Sequence, residues 1–452
     1  MTKNLDVYVD GQMVGRLTEE GAAGVFSYLP GVDPDKLVSL PMPVRLQSYV
    51  YPRGVHPIFQ MNLPEGYKKD FLREAVGPHA DMSDIGLLEL TGANGIGRVQ
   101  VVPEGLGLAS AKDVEDMASV LASADSRESL LGLLRTDISQ GVSGVMPKSF
   151  AVERAPNLRE RDKVTAQTPN YILKTGSAEL PWIAINEYLC LEVARHAGLE
   201  VPVTRLSNDG QVLAVKRFDR TPDGSMIAFE DFCSLAGHLP VDKYSGGPSG
   251  GGSLEALARI IKLRVPPEHQ QEDMARLFTL HLVNYALKNG DAHLKNFALL
   301  YTAHNNARFA PAFDIVTVTV YPHLKRDTPA LTLAGKKVWT CGKTLHEVGG
   351  KVMGLPAFVR KACLEKVEDA VQQVLPIMQE MTERFPDFRE TAKLMADEWA
   401  RGLEDIKPTA KPGKTEPAPL REQIGLSGPK GTAKKEVNPY INPDGAFSHK
   451  SR

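Results

Sequence analysis

The stretch Leu287-Lys288-Asn289-Gly290-Asp291-Ala292-His293-Leu294-Lys295-Asn296 constrains this chain more than any other. Before it, Met274, Leu277, Phe278, Leu282 and Tyr285 recur at helical spacing, which predicts an amphipathic helix. Asn289 and Gly290 both tolerate the left-handed conformation, so they are expected to stop that helix. After them an acid, a histidine and an amide fall within six residues. Phe297-Ala298-Leu299-Leu300-Tyr301 then reads as a strand, a polar turn follows, and a second apolar run from Phe309 ends at Asp314.

That order has a chemical meaning. Asp291 and Asn296 are five positions apart, the spacing of the loop H-R-D-x-x-x-x-N in phosphoryl-transferring kinases. There the Asp accepts the substrate hydroxyl proton and the Asn holds magnesium; a second Asp, one hairpin later, holds magnesium across the phosphates. Magnesium takes few protein oxygens besides phosphate and water, so Asn296 and Asp314 are candidate ligands. By itself D-x-x-x-x-N recurs by chance, and Asp-Ala-His also suits a helix-end cap, so the rest of the chain has to decide.

Upstream lie the parts such a site needs. Ser139-Gln140-Gly141-Val142-Ser143-Gly144-Val145-Met146-Pro147-Lys148 combines glycines and small hydroxyl residues, which lets backbone N–H groups approach phosphates, or else makes a surface turn. It is not the Walker pattern, having no G-K-[ST] at the right spacing. Tyr171-Ile172-Leu173-Lys174-Thr175 is an apolar strand carrying a lysine, which either meets an anion or reaches water at the strand end. A helix near 186–197 offers Glu187, an ion-pair partner for Lys174 or a surface residue. Glu230-Asp231-Phe232 is expected to be the hinge where adenine meets backbone groups. A second glycine cluster, residues 92–97, lacks a strand-then-helix context and reads as a tight turn.

Net charge is −2 over 452 residues, so no global field recruits nucleic acid. The four cysteines form no C-x-x-C pair, which argues against zinc. No apolar run is long enough to span a bilayer and the start lacks a signal region, so the expected location is cytoplasmic. Residues 4–17 predict a β-hairpin turning at Asp10-Gly11, with strands at 24–29 and 43–48 and a helix near 65–75. The expected organisation is a small α+β subdomain over 1–137, a lobe over 138–232 with the glycine loop, a helical lobe over 233–402, and a disordered Pro/Lys/Gly-rich tail over 403–452. Residues 155–169 are expected to be a polar loop. The fold class is α+β, two-lobed and protein-kinase-like, β-rich first and largely helical after, with nucleotide between the lobes.

Together Asp6-Val7-Tyr8-Val9-Asp10-Gly11, Ser143-Gly144-Val145-Met146-Pro147-Lys148, Tyr171-Ile172-Leu173-Lys174, Asn186-Glu187-Tyr188, Val215-Lys216-Arg217-Phe218-Asp219-Arg220, Glu230-Asp231-Phe232, Asn289-Gly290-Asp291-Ala292-His293-Leu294-Lys295-Asn296 and Phe313-Asp314-Ile315 resemble the HipA serine/threonine kinase toxins, over roughly residues 5–400. The resemblance implies the toxin half of a toxin–antitoxin pair that uses ATP and Mg2+ to phosphorylate a protein, an aminoacyl-tRNA synthetase in the type case. It also implies restraint by a helix-turn-helix antitoxin, contact with operator DNA through that complex, and self-phosphorylation on a glycine-loop serine, here Ser143. By position it makes Asp291 the base, Asn296 and Asp314 the magnesium ligands, and Lys174 a phosphate contact. His293, Ser143, Gly144, Val145, Glu230 and Phe232 then line the nucleotide site. Met146 departs from the family, which often has Gln there. Two other classes compete: an inert DNA-bound corepressor, against which the presence of Asp291, Asn296 and Asp314 argues, and a two-metal phosphoesterase, which needs further His or Asp ligands that the sequence does not place nearby.

Overall fold

The computed structural model describes residues 3–77, 80–108, 117–143, 163–245, 251–409 and 420–426, without the side chains of 75 and 136–143. It opens with the hairpin β1 (Asn4–Val9) and β2 (Gln12–Glu20). Their two-residue turn has φ of 50° at Asp10 and 73° at Gly11, both left-handed as a tight hairpin turn demands. With β3 (Ala23–Tyr28), β4 (Tyr49–Tyr51) and β5 (Val99–Pro103) they form an antiparallel sheet ordered β4-β3-β2-β1-β5. The strand expected over 43–48 is absent; pairing with β3 begins only at Tyr49, after two prolines at 41 and 43 that cannot donate to a ladder.

Helices α1 (Pro57–Gln60), α2 (Gly66–Val76), α3 (Asp84–Thr91), α4 (Met117–Ala122) and α5 (Ser126–Ser143) follow. Next comes a four-stranded antiparallel sheet of β6 (Lys163–Gln167), β7 (Tyr171–Gly176), β8 (Thr204–Leu206) and β9 (Leu213–Lys216), ordered β6-β7-β9-β8, with α6 (Ile183–His196) between β7 and β8. β6 corrects the expected polar loop: Val164 and Ala166 alternate inward among polar neighbours and pair with β7. Phe71, Leu130 and Leu134 pack with Val164, Leu173 and Ala214, so α2 and α5 share a core with this sheet.

The remainder is mostly helical: α7 (Phe232–Leu235), α8 (Leu254–Arg264), α9 (Pro267–Ala286), α10 (Gly342–Lys351), α11 (Ala357–Arg384) and α12 (Arg389–Asp405). A small sheet, β10 (Ala228–Asp231), β11 (Ala298–Tyr301) and β12 (Arg308–Phe309), sits among them. Its Phe229, Ala298 and Ala310 belong to the core of the N-terminal sheet. The boundaries expected at 137, 232 and 402 fall inside α5, at the start of α7 and inside α12. In the tail a short helix, α13 (Leu420–Gln423), buries Leu420 with Ile424 and Leu426 in the large helical core, so this apolar triplet is not a solvated tail. Among the described residues no helix is long and apolar enough to cross a membrane.

One buried carboxylate fastens the N-terminal sheet to the four-stranded one. Asp219 accepts from Arg217 Nη2 at 2.6 Å, from Arg220 Nη1 at 2.8 Å and from the Gly97 N–H at 2.7 Å. The same arginines donate to the carbonyls of Gly95 and Gly97. Gly97 sits at φ +87°, and a Cβ there would stand 3.1 Å from the Phe229 nitrogen. The glycine cluster at 92–97 is therefore a joint, with its N–H groups directed at protein. Removing Asp219 leaves two arginines facing a buried space. Asp219→Ala is expected to cost about 3 kcal/mol, as breaking one side of a buried ion pair does; urea unfolding followed by circular dichroism measures it.

Candidate active site

Strand alternation sets the first residue of the site. In β7, Leu173 faces the helices that cover the sheet, so Lys174 faces the other way. There its ammonium lies 2.6 Å from Glu187 Oε1 and 2.8 Å from Asp314 Oδ1. Glu187 comes from α6, where the neighbouring Asn186 is fully buried and its amide bonds both the N–H and the carbonyl of Thr317. The Trp399 indole donates to the Thr317 hydroxyl at 2.8 Å. These contacts fix the segment after Asp314, which itself has φ of 58°, a left-handed conformation that Asp adopts more readily than most residues. Asn296 Nδ2 reaches Asp314 Oδ2 at 3.1 Å.

The loop carrying Asp291 is held at both ends. α9 ends in a Schellman arrangement: Asn289 N–H bonds the Asn284 carbonyl at 2.8 Å and Lys288 N–H bonds that of Tyr285. The left-handed residue is Lys288, at φ 55°, so the helix stop lies one residue before the expected Asn289-Gly290. A lysine tolerates this because its ammonium pairs with Asp405 and stands 4.8 Å over the Trp339 ring. Asp291 then receives Lys163 Nζ on Oδ2 at 2.9 Å and the Tyr244 hydroxyl on Oδ1 at 2.7 Å. His293 is buried beside it, with Nδ1 unpartnered.

Charge follows from this geometry. Burial pushes the Asp314 carboxyl up, but Lys174 and Lys163 overrule it and hold it well below the usual carboxylate range. Asp291 is likewise raised by burial and lowered, on balance, by Lys163. Both ammoniums resist the burial that disfavours them because Asp and Glu surround them. Burial of the His293 ring lowers its pKa to about 4, so it is neutral at pH 7. Three carboxylates, Glu187, Asp291 and Asp314, face two ammoniums, leaving one excess negative charge.

Asp291 adjoins, through Lys163, a cleft that it does not itself line. Lys163, Lys174, Glu187, His293, Asn296 and Asp314 line this cleft of about 390 Å³, a size that suits a small-molecule ligand. Its walls are Ile172, Val215, residues 216–219, Phe229 and Phe313, with Leu63, Glu65 and Ile96 from the N-terminal part. An apolar wall beside lysines and carboxylates fits a nucleotide with its metal, and His293 lines the same cleft with its Nδ1 buried and unpartnered. Asn296 fits magnesium once its amide turns Oδ1, rather than Nδ2, toward Asp314. Among the described residues no group of three His, Cys, Asp or Glu is placed to hold a metal ion.

Two expected residues lie elsewhere. Glu230 is fully buried and accepts from Ser39 Oγ at 2.5 Å, Leu40 N–H at 3.1 Å and Tyr301 hydroxyl at 3.0 Å. Phe232 is buried, with its N–H bonded to the Phe297 carbonyl. Neither borders the cleft, although Phe229 of the same strand does; residues 215–219 form the cleft wall there. Ser143 ends α5, so the first five residues of the expected glycine loop are helical; its side chain, Gly144 and Val145 lie outside the described residues. Lys163 and Tyr244 are not among the expected site residues, and residues 215–219, part of a motif behind the resemblance, carry no expected role there. Lys163 heads an alternating run, and Tyr244 is the lone aromatic in a Gly/Ser-rich stretch.

The model of the HipA-like C-terminal domain matches residues 140–387, and that of the HipA N-terminal domain matches 5–102. This chain belongs to the HipA family. Within it, the "Putative kinase Y4mE" of Sinorhizobium fredii is 26% identical over 408 residues, covering 85% of this chain and 94% of that one. The "Putative kinase Y4dM" of the same organism is 26% identical over 305 residues, 64% of this chain and 68% of that one. The HipA of Shewanella oneidensis, solved with HipB and its operator DNA, superposes with a TM-score of 0.57 at 16% identity, covering 89% of this chain and 96% of that one. The α+β, two-lobed, kinase-like HipA fold is thus the fold of this chain.

The neutral, buried His293 makes a pH test. Its folded pKa lies below the ordinary 6.5, so the folded state binds fewer protons, and its share of stability is complete above pH 6.5 and lost as pH falls toward about 4. His293→Gln is expected to flatten the fall in melting temperature across that window relative to the parent; a melting series from pH 4 to 7 reads it.

Proposed function

We propose that this HipA-family protein is an ATP- and magnesium-dependent protein serine/threonine kinase. The observation that carries the reading is the Glu187–Lys174–Asp314 bridge lining the cleft, with Asn296 on the same carboxylate. In kinases a strand lysine paired to a helix glutamate grips the phosphates, and an aspartate after a hairpin binds the metal. Lys174 orients the phosphates while Glu187 keeps its ammonium in place. Asp314 and Asn296 hold magnesium, which when bound neutralises charge on the transferring phosphate. Asp291, low in pKa and therefore ionised, accepts the proton of the substrate hydroxyl. Neutral His293 offers its free nitrogen beside the phosphates. The wall at 215–219 with Phe229 and Phe313 receives the adenine.

The family supplies the biological setting of this reading. The Shewanella HipA was solved with HipB and operator DNA; a HipB-like helix-turn-helix antitoxin is the proposed restraint here, with operator DNA met through that complex and the cytoplasm as the place of action. A protein is the proposed target, an aminoacyl-tRNA synthetase being the first candidate, and Ser143 the proposed site of self-phosphorylation. An inert corepressor is less favoured, because the residues that bind metal and accept a proton are all present and grouped.

Asp291→Asn is expected to lower phosphoryl transfer roughly 10²–10⁴-fold, the usual loss on removing a general base, with ADP affinity retained. Lysate incubated with γ-labelled ATP and either protein, followed by identification of labelled bands, checks it. Equal labelling by the two proteins would defeat the assignment.

A further inference from the structure

Asp291 has both carboxylate oxygens taken by its own chain. Lys163 holds Oδ2 at 2.9 Å, and the Tyr244 hydroxyl donates to Oδ1 at 2.7 Å. A hydroxyl donating to this carboxylate is the arrangement that a serine or threonine acceptor must make before transfer. Three further contacts put Tyr244 there by construction. Its ring stands edge-on to His293 at 5.1 Å and 77°. The carbonyl of Lys243 accepts from Leu294 N–H at 3.0 Å, joining the segment to the loop of Asp291. Lys243 itself reaches Glu65 at 2.9 Å.

Resting on the kinase reading, we propose that the Tyr244 hydroxyl occupies the acceptor-hydroxyl position, so that Tyr244 is the residue an incoming hydroxyl displaces and sets which acceptors enter. Of the two groups on Asp291, tyrosine is the one to yield. Lys163 is bound by charge to Asp291 and faces the charge of Asp314 as well. The tyrosine contact is a single hydrogen bond from a neutral group, and 42% of the residue is exposed. A substrate hydroxyl arriving from solvent makes the same bond to the same oxygen, so the exchange conserves hydrogen bonding. Tyr244 is a positioning and specificity residue in this account, with no part in the transfer itself.

Water is the smallest acceptor, which allows a test without the natural target. The purified full-length chain is incubated with magnesium and γ-labelled ATP, and released phosphate is counted for the parent, Tyr244→Phe, Tyr244→Leu and Asp291→Asn. Tyr244→Phe keeps the ring on His293 and deletes only the donor. Phosphate release is expected to rise about fivefold, the factor that one ordinary neutral hydrogen bond represents, with ADP affinity by calorimetry and melting temperature unchanged. Tyr244→Leu should rise at least as far. A rate that stays level or falls in both variants overturns the inference, since a residue that merely orients Asp291 would slow the reaction when removed. If Asp291→Asn matches the parent, the base assignment fails, and the kinase reading with it. If Asp291→Asn is slow while neither Tyr244 variant is fast, only the present inference is lost.

Discussion

Everything in the cleft hangs on one ammonium between two carboxylates. Lys174 and Glu187 come from a strand and the helix that follows it, 13 residues apart, and Asp314 from a connecting segment 140 residues beyond Lys174. Burial alone works against each of the three charges. At Lys174 and Asp314 attraction outweighs desolvation, whereas at Glu187 burial outweighs the pull of Lys174 and raises its carboxyl; such a set is stable only when complete. It also explains the left-handed Asp314. A side chain aimed back at β7 while the chain leaves toward Thr317 requires that turn, and Asn186 and Trp399 hold the exit.

The N-terminal part is a wall of this site as well as a neighbour. Asp219 ties the 95–97 turn to the end of β9, and Glu230 ties Ser39 and Leu40 to β10. Arg98 reaches the Thr302 carbonyl beyond β11. Glu65 bridges Lys243 and Lys295, the second of which lies in the loop of Asp291. Through these four ties, residues 61–65 and 91–96 stand in the cleft lining. A kinase-like site built from two lobes here has a third wall, whose shape depends on the buried Asp219 and Glu230 contacts and on the more exposed Glu65 bridge.

What could be read from sequence follows from how local the cause is. The 10–11 turn, the strand of Lys174 and the helix of Glu187 are set by residues within a few positions, and all three were legible. The partnership of Lys174 with Glu187 was one of two open readings, because a strand lysine is as well served by water until a helix covers it. Val215-Lys216-Arg217-Phe218-Asp219 lines the cleft and Glu230-Asp231-Phe232 does not; both lie at a strand end, and only tertiary pairing tells them apart. Lys163 was hidden by its setting: polar residues surround a two-residue alternation too short to stand out. The tail helix escaped because Leu420, Ile424 and Leu426 are three apolar residues in a stretch whose average is polar.

The end of β10 and the site answer to protons with opposite sign, while Asp219 at the 95–97 joint, despite its burial, is held low by Arg217 and Arg220 and sides with the site. Burial raises Glu230 to about 7 and Asp231 to about 6, so the folded state holds their protons more tightly than the unfolded one. Their contribution is full at low pH and is lost as pH rises through those values. Asp314 and His293 run the other way, since both are depressed when folded and lose their contribution as pH falls. The end of β10 thus favours acid while the cleft and the Asp219 joint favour neutrality. Because Glu230 is clasped by Ser39, Leu40 and Tyr301, each of which donates a hydrogen bond, its ionised form is well received when it does appear. That softens the alkaline loss at β10, and the acid side is carried by the carboxylates held low by cations, Asp314 and Asp291 in the cleft and Asp219 at the joint.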